Sequence, residues 1–372
     1  MPVRLDRFEE KFKAMKNGED YASILEKQKK TFQKFVLRVM FSGVVATMLS
    51  CQNDQVPAAT PVPTAISRCK IQSLSISGTE SEGAMVTNTY HFVFNYTYDE
   101  NGNQTGETAT FKRKSSDGKM STTSISTSNQ FDANNYIIRR VVQSGSGTVT
   151  NTEYAYADGR LIKEDHNTVD NGKARNYSVS YEYNIEGKLT KMSSTYNNSY
   201  TKYEWNGNKL QKFTDVDRNG NITSPLLEYD NDGRLIKSIK TSEGSSDEFR
   251  YQYNAEGQIV RFEQYLNSKR STAYASEYDN KENPLSLMYP ELKGHPSVPR
   301  EAAEPKYINN AVKEVAYAGD PATEEWKVIA TSLYTYDYNN KNLPTEVVSQ
   351  TLDNNGVLTN SGRASYVYQD CQ

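Results

Sequence analysis

The chain is poor in the residues that usually do chemistry. Its 372 residues include three histidines, three cysteines and two tryptophans. His91, His166 and His295 are far apart, and no two stand in a metal-ligand spacing. No HExxH, CxxC, GxSxG or phosphate-binding glycine loop is present. No metal, no cofactor and no catalytic residue is therefore expected. Basic charge is not in excess either: 43 Lys and Arg stand against 46 Asp and Glu, a net charge of −3. That balance excludes a basic nucleic-acid binder. No apolar run reaches the roughly 18 residues that a membrane-spanning helix needs.

What the chain has is one phrase repeated. An aromatic, any residue, an aromatic, Asp or Asn, a short glycine-bearing turn, then an aliphatic and often a base recur eight times. The clearest copy is Leu227-Glu228-Tyr229-Asp230-Asn231-Asp232-Gly233-Arg234-Leu235-Ile236-Lys237. Copies begin at Tyr96, Tyr154, Tyr181, Tyr203, Leu227, Tyr251, Ser276 and Tyr334, with a degenerate one at Phe131–Tyr136 and an aromatic half at Tyr366–Tyr368. Repetition at this period fixes architecture before function. A unit of about 24 residues has room for two strands of about 8–10 residues and two turns, and no room for a helix besides.

Period two supports strands. Val179, Tyr181 and Tyr183 share one face, and Ser178, Ser180 and Glu182 the other. Such alternation marks a half-buried strand. Turns fall at Asp158-Gly159, Asn206-Gly207, Asp232-Gly233 and Glu256-Gly257, and between copies at Asn171-Gly172, Asn219-Gly220 and Asn355-Gly356. These residues tolerate positive φ. The fold class expected is all-β: an antiparallel up-and-down meander of repeated β-hairpins closing into a barrel or half-barrel, which would remove or shorten the unpaired edges. Cys69 precedes the first expected strand, Ile71–Ser77, and Cys371 ends the last, Ala364–Asp370. A Cys69–Cys371 disulfide would seal the seam of a closed barrel; two unpaired thiols are the alternative.

The apolar stretch Val39–Leu49 is 11 residues long and comes after Lys27, Lys29, Lys30, Lys34 and Arg38. It suits a signal-peptide core. Met48-Leu49-Ser50-Cys51 then resembles a bacterial lipobox, which makes Cys51 the expected lipidation site. Residues 1–50 are assigned to a signal peptide with an over-long extension, since the charged Met1–Glu26 is unusual ahead of a signal. Residues 51–67, rich in Pro, Ala and Thr, form the lipidated cysteine and a flexible tether. Residues 68–372 form the β domain. Removing residues 1–50 takes away 10 basic and 6 acidic residues, leaving 33 and 40. Gln52 is compatible with sorting to the outer membrane, with the periplasmic or the surface face left open.

Tyr229-Asp230-Asn231-Asp232-Gly233-Arg234-Leu235 looks like the YD repeat of RHS-type proteins. Joined to the lipobox, it resembles a family of lipoproteins of Gram-negative bacteria with a porin-like β-barrel domain. The resemblance covers roughly Tyr90 to Gln372. It implies fold and envelope location, and it brings no catalytic residues. RHS proteins often end in a toxin module; here the chain stops a few residues past the last expected strand, so none is expected.

Other groups invite chemistry and have simpler readings. Asp215-Val216-Asp217-Arg218-Asn219-Gly220 imitates the start of a calcium loop, but Leu226 stands where the bidentate acid belongs, and a turn explains the same residues. Glu182, Glu204, Glu228 and Glu277 sit between paired aromatics. Two facing acids make a glycosidase, yet acids that keep to the repeat read more simply as cross-strand partners. Lys163, Lys191, Lys212, Lys237 and Arg261 fall two residues after Leu161, Leu189, Leu210, Leu235 and Ile259, and parity puts each base on the face of its aliphatic; with odd-numbered hairpin loops the Tyr-x-Tyr pair shares that face, and each base would lie over a neighbouring Tyr ring. Bases facing lipid near the midplane would cost roughly 2–4 kcal/mol each. With a mean hydropathy of −0.78, a water-soluble barrel is favoured.

The 27 tyrosines suit barrel faces and binding surfaces alike. Trp205 replaces the second Tyr of its copy and reads as a structural substitute. The repeat lapses between Leu285 and Leu333, and Pro284, Pro290, Pro296, Pro299, Pro305 and Pro321 disfavour regular central strands here. Long irregular segments in a regular scaffold are often functional. Tyr289, His295 and Trp326 are the candidate ligand-binding residues, between this segment and the adjacent Tyr face. The function expected is a non-catalytic envelope lipoprotein, held to the membrane by its lipid, that binds or scaffolds a glycan or an envelope protein. The alternatives are a transmembrane porin-like barrel and a glycoside hydrolase.

Overall fold

The computed structural model of the chain describes residues 69–82, 85–207, 209–242, 245–288, 292–296, 308–320, 323 and 325–369. They form 21 strands in one antiparallel sheet and, among the described residues, a single helical turn at Leu285–Met288. The first strands are β1 (Lys70–Glu82), β2 (Met85–Tyr98), β3 (Gln104–Ser115), β4 (Met120–Phe131) and β5 (Ile137–Ser144). Next come β6 (Val149–Ala157), β7 (Arg160–Asp170), β8 (Lys173–Tyr183), β9 (Leu189–Ser194), β10 (Ser199–Asn206) and β11 (Lys209–Val216). Then come β12 (Ile222–Thr223), β13 (Leu226–Tyr229), β14 (Leu235–Ser242), β15 (Ser245–Tyr253) and β16 (Ile259–Leu266). The last are β17 (Lys269–Glu282), β18 (Asn309–Gly319), β19 (Trp326–Tyr338), β20 (Pro344–Asp353) and β21 (Leu358–Gln369).

Consecutive strands pair as a meander, and β1 also pairs with β21, from Lys70↔Gln369 to Glu80↔Asn360. The first and last strands therefore lie side by side, as a closing barrel requires. Hydrogen bonds nevertheless do not complete the ring. β12 pairs with β11 and β13 pairs with β14, while β12 and β13 are successive pieces of one stretch of chain separated by Ser224 and Pro225. Proline has no N–H to give to a ladder, and Ser224 donates its hydroxyl to the Phe213 carbonyl at 2.9 Å instead. At the seam, Cys69 is 7% exposed and disulfide-bonded. Cys371, its expected partner, and Cys51 lie outside the described residues, as do the leader and tether over residues 1–67.

The repeat phrase has a physical content in each part. The Asp or Asn after the second aromatic accepts the N–H four residues on, as Asp230 does from Arg234 at 2.8 Å and Asn184 from Lys188 at 2.9 Å. That bond folds the turn, and the glycine between supplies the positive φ, 82° at Gly233. The aliphatic then faces the second aromatic: Tyr183↔Leu189, Tyr229↔Leu235 and Tyr253↔Ile259 are direct pairs. Leu161, Leu189, Leu210 and Leu235 are 0, 3, 5 and 9% exposed. Each such burial contributes about 1.5–3 kcal/mol.

The base two residues later does not share that face, and here the parity argument fails. Every hairpin of this kind carries a bulge. Glu182 pairs with Lys191 while Tyr183 pairs with Leu189, so Thr190 is an extra residue. The same shift occurs at Ala155/Tyr156, Glu204/Trp205, Glu228/Tyr229 and Gln252/Tyr253. A bulge reverses the facing of the strand residues beyond it. Lys163, Lys191, Lys212, Lys237 and Arg261 thereby turn to the opposite, exposed face. Lys191 and Lys237 meet Glu182 and Glu228 at 2.9 and 3.0 Å. Two of the five still lie over tyrosines, Lys191 over Tyr200 and Arg261 over Tyr317, but neither ring belongs to an aromatic pair of the repeat.

A bulge also leaves a backbone carbonyl without its ladder partner. The second aromatic of the next copy supplies one. Tyr98, Tyr156, Tyr183, Tyr253 and Tyr278 donate their hydroxyls to the carbonyls of Ile71, Ile137, Leu161, Leu235 and Ile259 at 2.6–3.0 Å. Tyr336 and Tyr368 do the same for Ala311 and Pro344. Trp205 does it with its indole N–H, to Leu189 at 2.7 Å, and so serves the structural role expected of it.

The irregular insertion is shorter than the sequence suggests. β18 and the start of β19 lie inside Leu285–Leu333 and pair antiparallel with their neighbours, with shifts of register at Glu277/Tyr278, Tyr278/Glu282 and Ala316/Tyr317. Pro290, Pro296, Pro299 and Pro305 precede β18, and Pro321 falls between the two strands. The prolines mark boundaries here and do not forbid the strands.

Candidate functional site

The sheet has an aromatic, buried face and a charged, exposed one, and unusual groups occur on both. On the aromatic face a polar row crosses β4 to β8. Asn129, Arg140, Thr152, His166 and Tyr177 are successive cross-strand partners. Asn129 accepts from Arg140 Nε at 2.9 Å. His166 Nδ1 lies 3.0 Å from Thr152 Oγ1, and its Nε2 lies 2.9 Å from Glu164 Oε2. The Tyr181 hydroxyl donates to the other carboxylate oxygen at 2.8 Å. The Tyr177 ring stacks on His166 with centroids 4.3 Å apart. Burial alone would raise the Glu164 pKa, but the hydrogen bonds from His166 and Tyr181 outweigh it and hold the carboxyl below its usual range. On β3, burial pushes Glu107 up to about 7 against the opposing Arg140 charge.

Hydroxyl, imidazole and carboxylate in line is the order used to activate a nucleophile. Thr152, however, is 5% exposed, which leaves a substrate carbonyl no approach to its oxygen. The trio satisfies polar groups that the fold has buried.

His295 comes from the insertion and docks on this face. Its ring lies 5.3 Å from Tyr154 and 6.0 Å from Tyr156, and Nε2 is 3.0 Å from the Tyr156 hydroxyl. The single Tyr156 hydroxyl proton goes to the Ile137 carbonyl, so Nε2 must be the donor and carry the histidine proton. Nδ1 is then a lone pair, buried and without a hydrogen-bond partner among the described residues. Burial pushes the His295 pKa down to about 4, with Glu164 opposing and Arg140 adding to the shift. Neighbouring residues pin the segment: Leu161 N–H donates to the Gly294 carbonyl at 2.8 Å, and Lys293 Nζ donates to the Asn134 carbonyl at 3.0 Å.

The charged face departs from the repeat between β15 and β19. Arg250 lies 4.4 Å over the Tyr265 ring, Arg261 5.3 Å over Tyr317, and Arg270 5.6 Å over Trp326. Tyr265 and Trp326 meet edge to face at 6.0 Å. Glu263 accepts from Arg261 at 2.7 Å and from the Tyr265 hydroxyl at 2.8 Å.

The three residues expected to form one ligand site are therefore not brought together. His295 packs on the aromatic face and Trp326 belongs to the charged face. Tyr289 lies outside the described residues. Sequence reasoning singled out Arg261 as a repeat base but missed Arg250, Arg270, Tyr265 and Tyr317; Arg250-x₁₄-Tyr265 has no spacing signal, because the contact crosses two strands. The calcium-like stretch folds as a turn. Asp217 accepts from the N–H groups of Asn219 and Asn221 at 2.8 and 2.9 Å, and Asp215 accepts from Thr201 at 2.5 Å.

No family model and no curated protein matches the chain. Among solved structures, a porin-like protein from Bacteroides uniformis is similar at 16% identity and a TM-score of 0.36, over 80% of this chain and 98% of that one. A porin-like protein from Bacteroides vulgatus gives 10% and 0.28, over 81% and 98%. The TcdB2-TccC3-Cdc42 structure gives 12% and 0.33, over 76% of this chain and 17% of that one.

Proposed function

We propose that the protein is a non-catalytic binding or scaffolding protein of the cell envelope, anchored to the outer membrane by a lipid on Cys51. The observation that carries this reading is how the repeat spends its polar groups. Tyrosine hydroxyls go to bulge carbonyls, and the acids between the aromatics go to bases. Lys191–Glu182, Lys237–Glu228 and Lys313–Glu277 stand at 2.9, 3.0 and 2.8 Å, and Glu204 pairs in register with Lys212. Those four acids are the glycosidase candidates, and their use as cross-strand partners on an exposed face speaks for a scaffold. What the repeat does not account for is the arginine and aromatic surface ending at Trp326. That surface is where a glycan or an envelope protein would bind.

The same charged face argues for an exterior in water over a transmembrane porin. A Lys or Arg turned to lipid costs roughly 2–4 kcal/mol near the midplane, and here such residues recur in strand after strand. The test is saturable binding of envelope glycans and envelope proteins to the full chain. Binding that Trp326→Ala abolishes supports the reading. Binding that Trp326→Ala leaves intact, or none across both classes, speaks against it.

A further inference from the structure

Three arginines of the charged face use one arrangement, and one of the three is incomplete. Each guanidinium lies over an aromatic ring: Arg250 over Tyr265, Arg261 over Tyr317 and Arg270 over Trp326. In the first two a carboxylate takes the edge of the stacked group. Glu248 Oε1 is 2.5 Å from Arg250 Nε, and Glu263 Oε1 is 2.7 Å from Arg261 Nε. Arg270 is exposed and its guanidinium meets the Tyr265 hydroxyl, but no carboxylate lies within ion-pair distance of it among the described residues.

A stacked guanidinium is held in plane while its N–H edge stays available, which is the geometry for two parallel bonds to a carboxylate. The stem of Arg270 is fixed as well. Gly319, the partner of Trp326 across the ladder, lets the backbones come so close that a Cβ there would stand 2.2 Å from the Arg270 carbonyl oxygen. The Tyr265 ring meets Trp326 edge to face, and Val328, two residues along on the same face of β19, is 42% exposed. Ring and valine offer an apolar shelf, and the guanidinium a carboxylate seat. A bare anion uses only the second of these.

We propose that Arg270 and Trp326, with Tyr265, form a binding site for an acidic carbohydrate, a glycan that carries uronate residues. This rests on the reading of the charged face as a ligand-binding surface and names its ligand class. The uronate carboxylate takes the place at Arg270 that Glu248 and Glu263 take at the other two arginines. The face of the sugar ring lies on the aromatic shelf.

The experiment is calorimetric titration of the full chain with an oligogalacturonate and with the same oligosaccharide after its carboxyls are reduced to alcohols. The expected result is binding of the acidic form, with the neutral form and the Arg270→Gln variant each weaker by about tenfold or more, the value of a charge-assisted pair. Arg270→Lys restores little, because an ammonium cannot reproduce the planar fork. An unchanged melting temperature of Arg270→Gln keeps the loss from being one of folding. Equal binding of the two oligosaccharides would overturn the uronate site and leave the broader binding reading standing. Acidic binding that survives Arg270→Gln would overturn it too, as would binding of neither form; in that last case the broader reading is judged on protein partners.

Discussion

Trp205 Nε1 donates to the Leu189 carbonyl at 2.7 Å, in the place where Tyr98, Tyr156, Tyr183, Tyr253, Tyr278, Tyr336 and Tyr368 use a hydroxyl. Two different side chains meet one demand, and the demand comes from the bulge. The repeat is held by this bond between copies as much as by the hairpin within each copy. The second aromatic is therefore needed for its donor as well as for its ring.

Tyr183→Phe keeps the ring and removes the donor to the Leu161 carbonyl. The expected cost is about 1–3 kcal/mol, the penalty for stranding a buried acceptor. Trp205→Phe is expected to behave alike, and Trp205→Tyr to lose much less. Urea midpoints of the three variants check this. Equal stability of Trp205→Phe and Trp205→Tyr would remove the carbonyl bond from the account.

The cross-strand ion pairs should matter little to stability. The side chains of Lys191 and Glu182 are 33 and 59% exposed, and exposed pairs of this kind contribute about 0–1 kcal/mol, less in salt. A double-mutant cycle on Glu182→Gln and Lys191→Met measures the coupling. A value above about 2 kcal/mol would mean that the charged face holds the sheet together, contrary to this reading.

Gly233 has φ of 82° in the turn that Asp230 folds. Gly233→Ala should cost about 1–2 kcal/mol, since a side chain is strained there. Asp230→Ala strands the Arg234 N–H and releases the Arg234 guanidinium, which now bonds Asp230 at 2.7 Å. Thermal melting of the two single variants and the double variant is the check: their effects should overlap, because both act on one turn.

Two buried groups on the aromatic face titrate with opposite effect. The His295 pKa is down to about 4 from 6.5, so between those values the unfolded chain binds more protons and stability rises with pH. Glu107 is up to about 7 from 4.5, so between those values the folded chain binds more protons and stability falls with pH. The two slopes offset each other from about pH 4.5 to 6.5. Relative to the parent chain, Glu107→Gln should shift the slope of stability against pH upward across that window, and His295→Gln should shift it downward. Urea titrations at the two ends of the window read the slopes. Parallel slopes in both variants would contradict the assignment.

Much of this fold is legible from short-range signals. The Tyr-x-Tyr alternation shows strands because the side-chain period is two, and Asp158-Gly159 shows a turn because its φ values of 51 and 74° need such residues. The bulge is not legible: Thr190 is an ordinary residue, and only the pairing of Lys191 with Glu182 reveals that one position has been added. Parity counted along the chain therefore puts the bases on the wrong face. The candidate sites are hidden for a related reason. His166 and His295 are 129 positions apart in the sequence, yet one lies in the polar row and the other docks on Tyr154 and Tyr156 of the same face, through cross-strand and insertion contacts that spacing does not encode. The Arg270 seat is hidden in the same way, since its ring comes from β19 and its absent carboxylate shows only beside the two arginines that have one.

The central claim is that the charged face of the sheet meets water and the aromatic face is turned away from it. Detergent phase partitioning of the full chain with Cys51→Ala, which cannot be lipidated, tests it most directly when combined with reconstitution into planar bilayers. The account predicts recovery in the aqueous phase and no channel conductance. Recovery in the detergent phase together with stepwise conductance would contradict it and make the chain a membrane-spanning barrel.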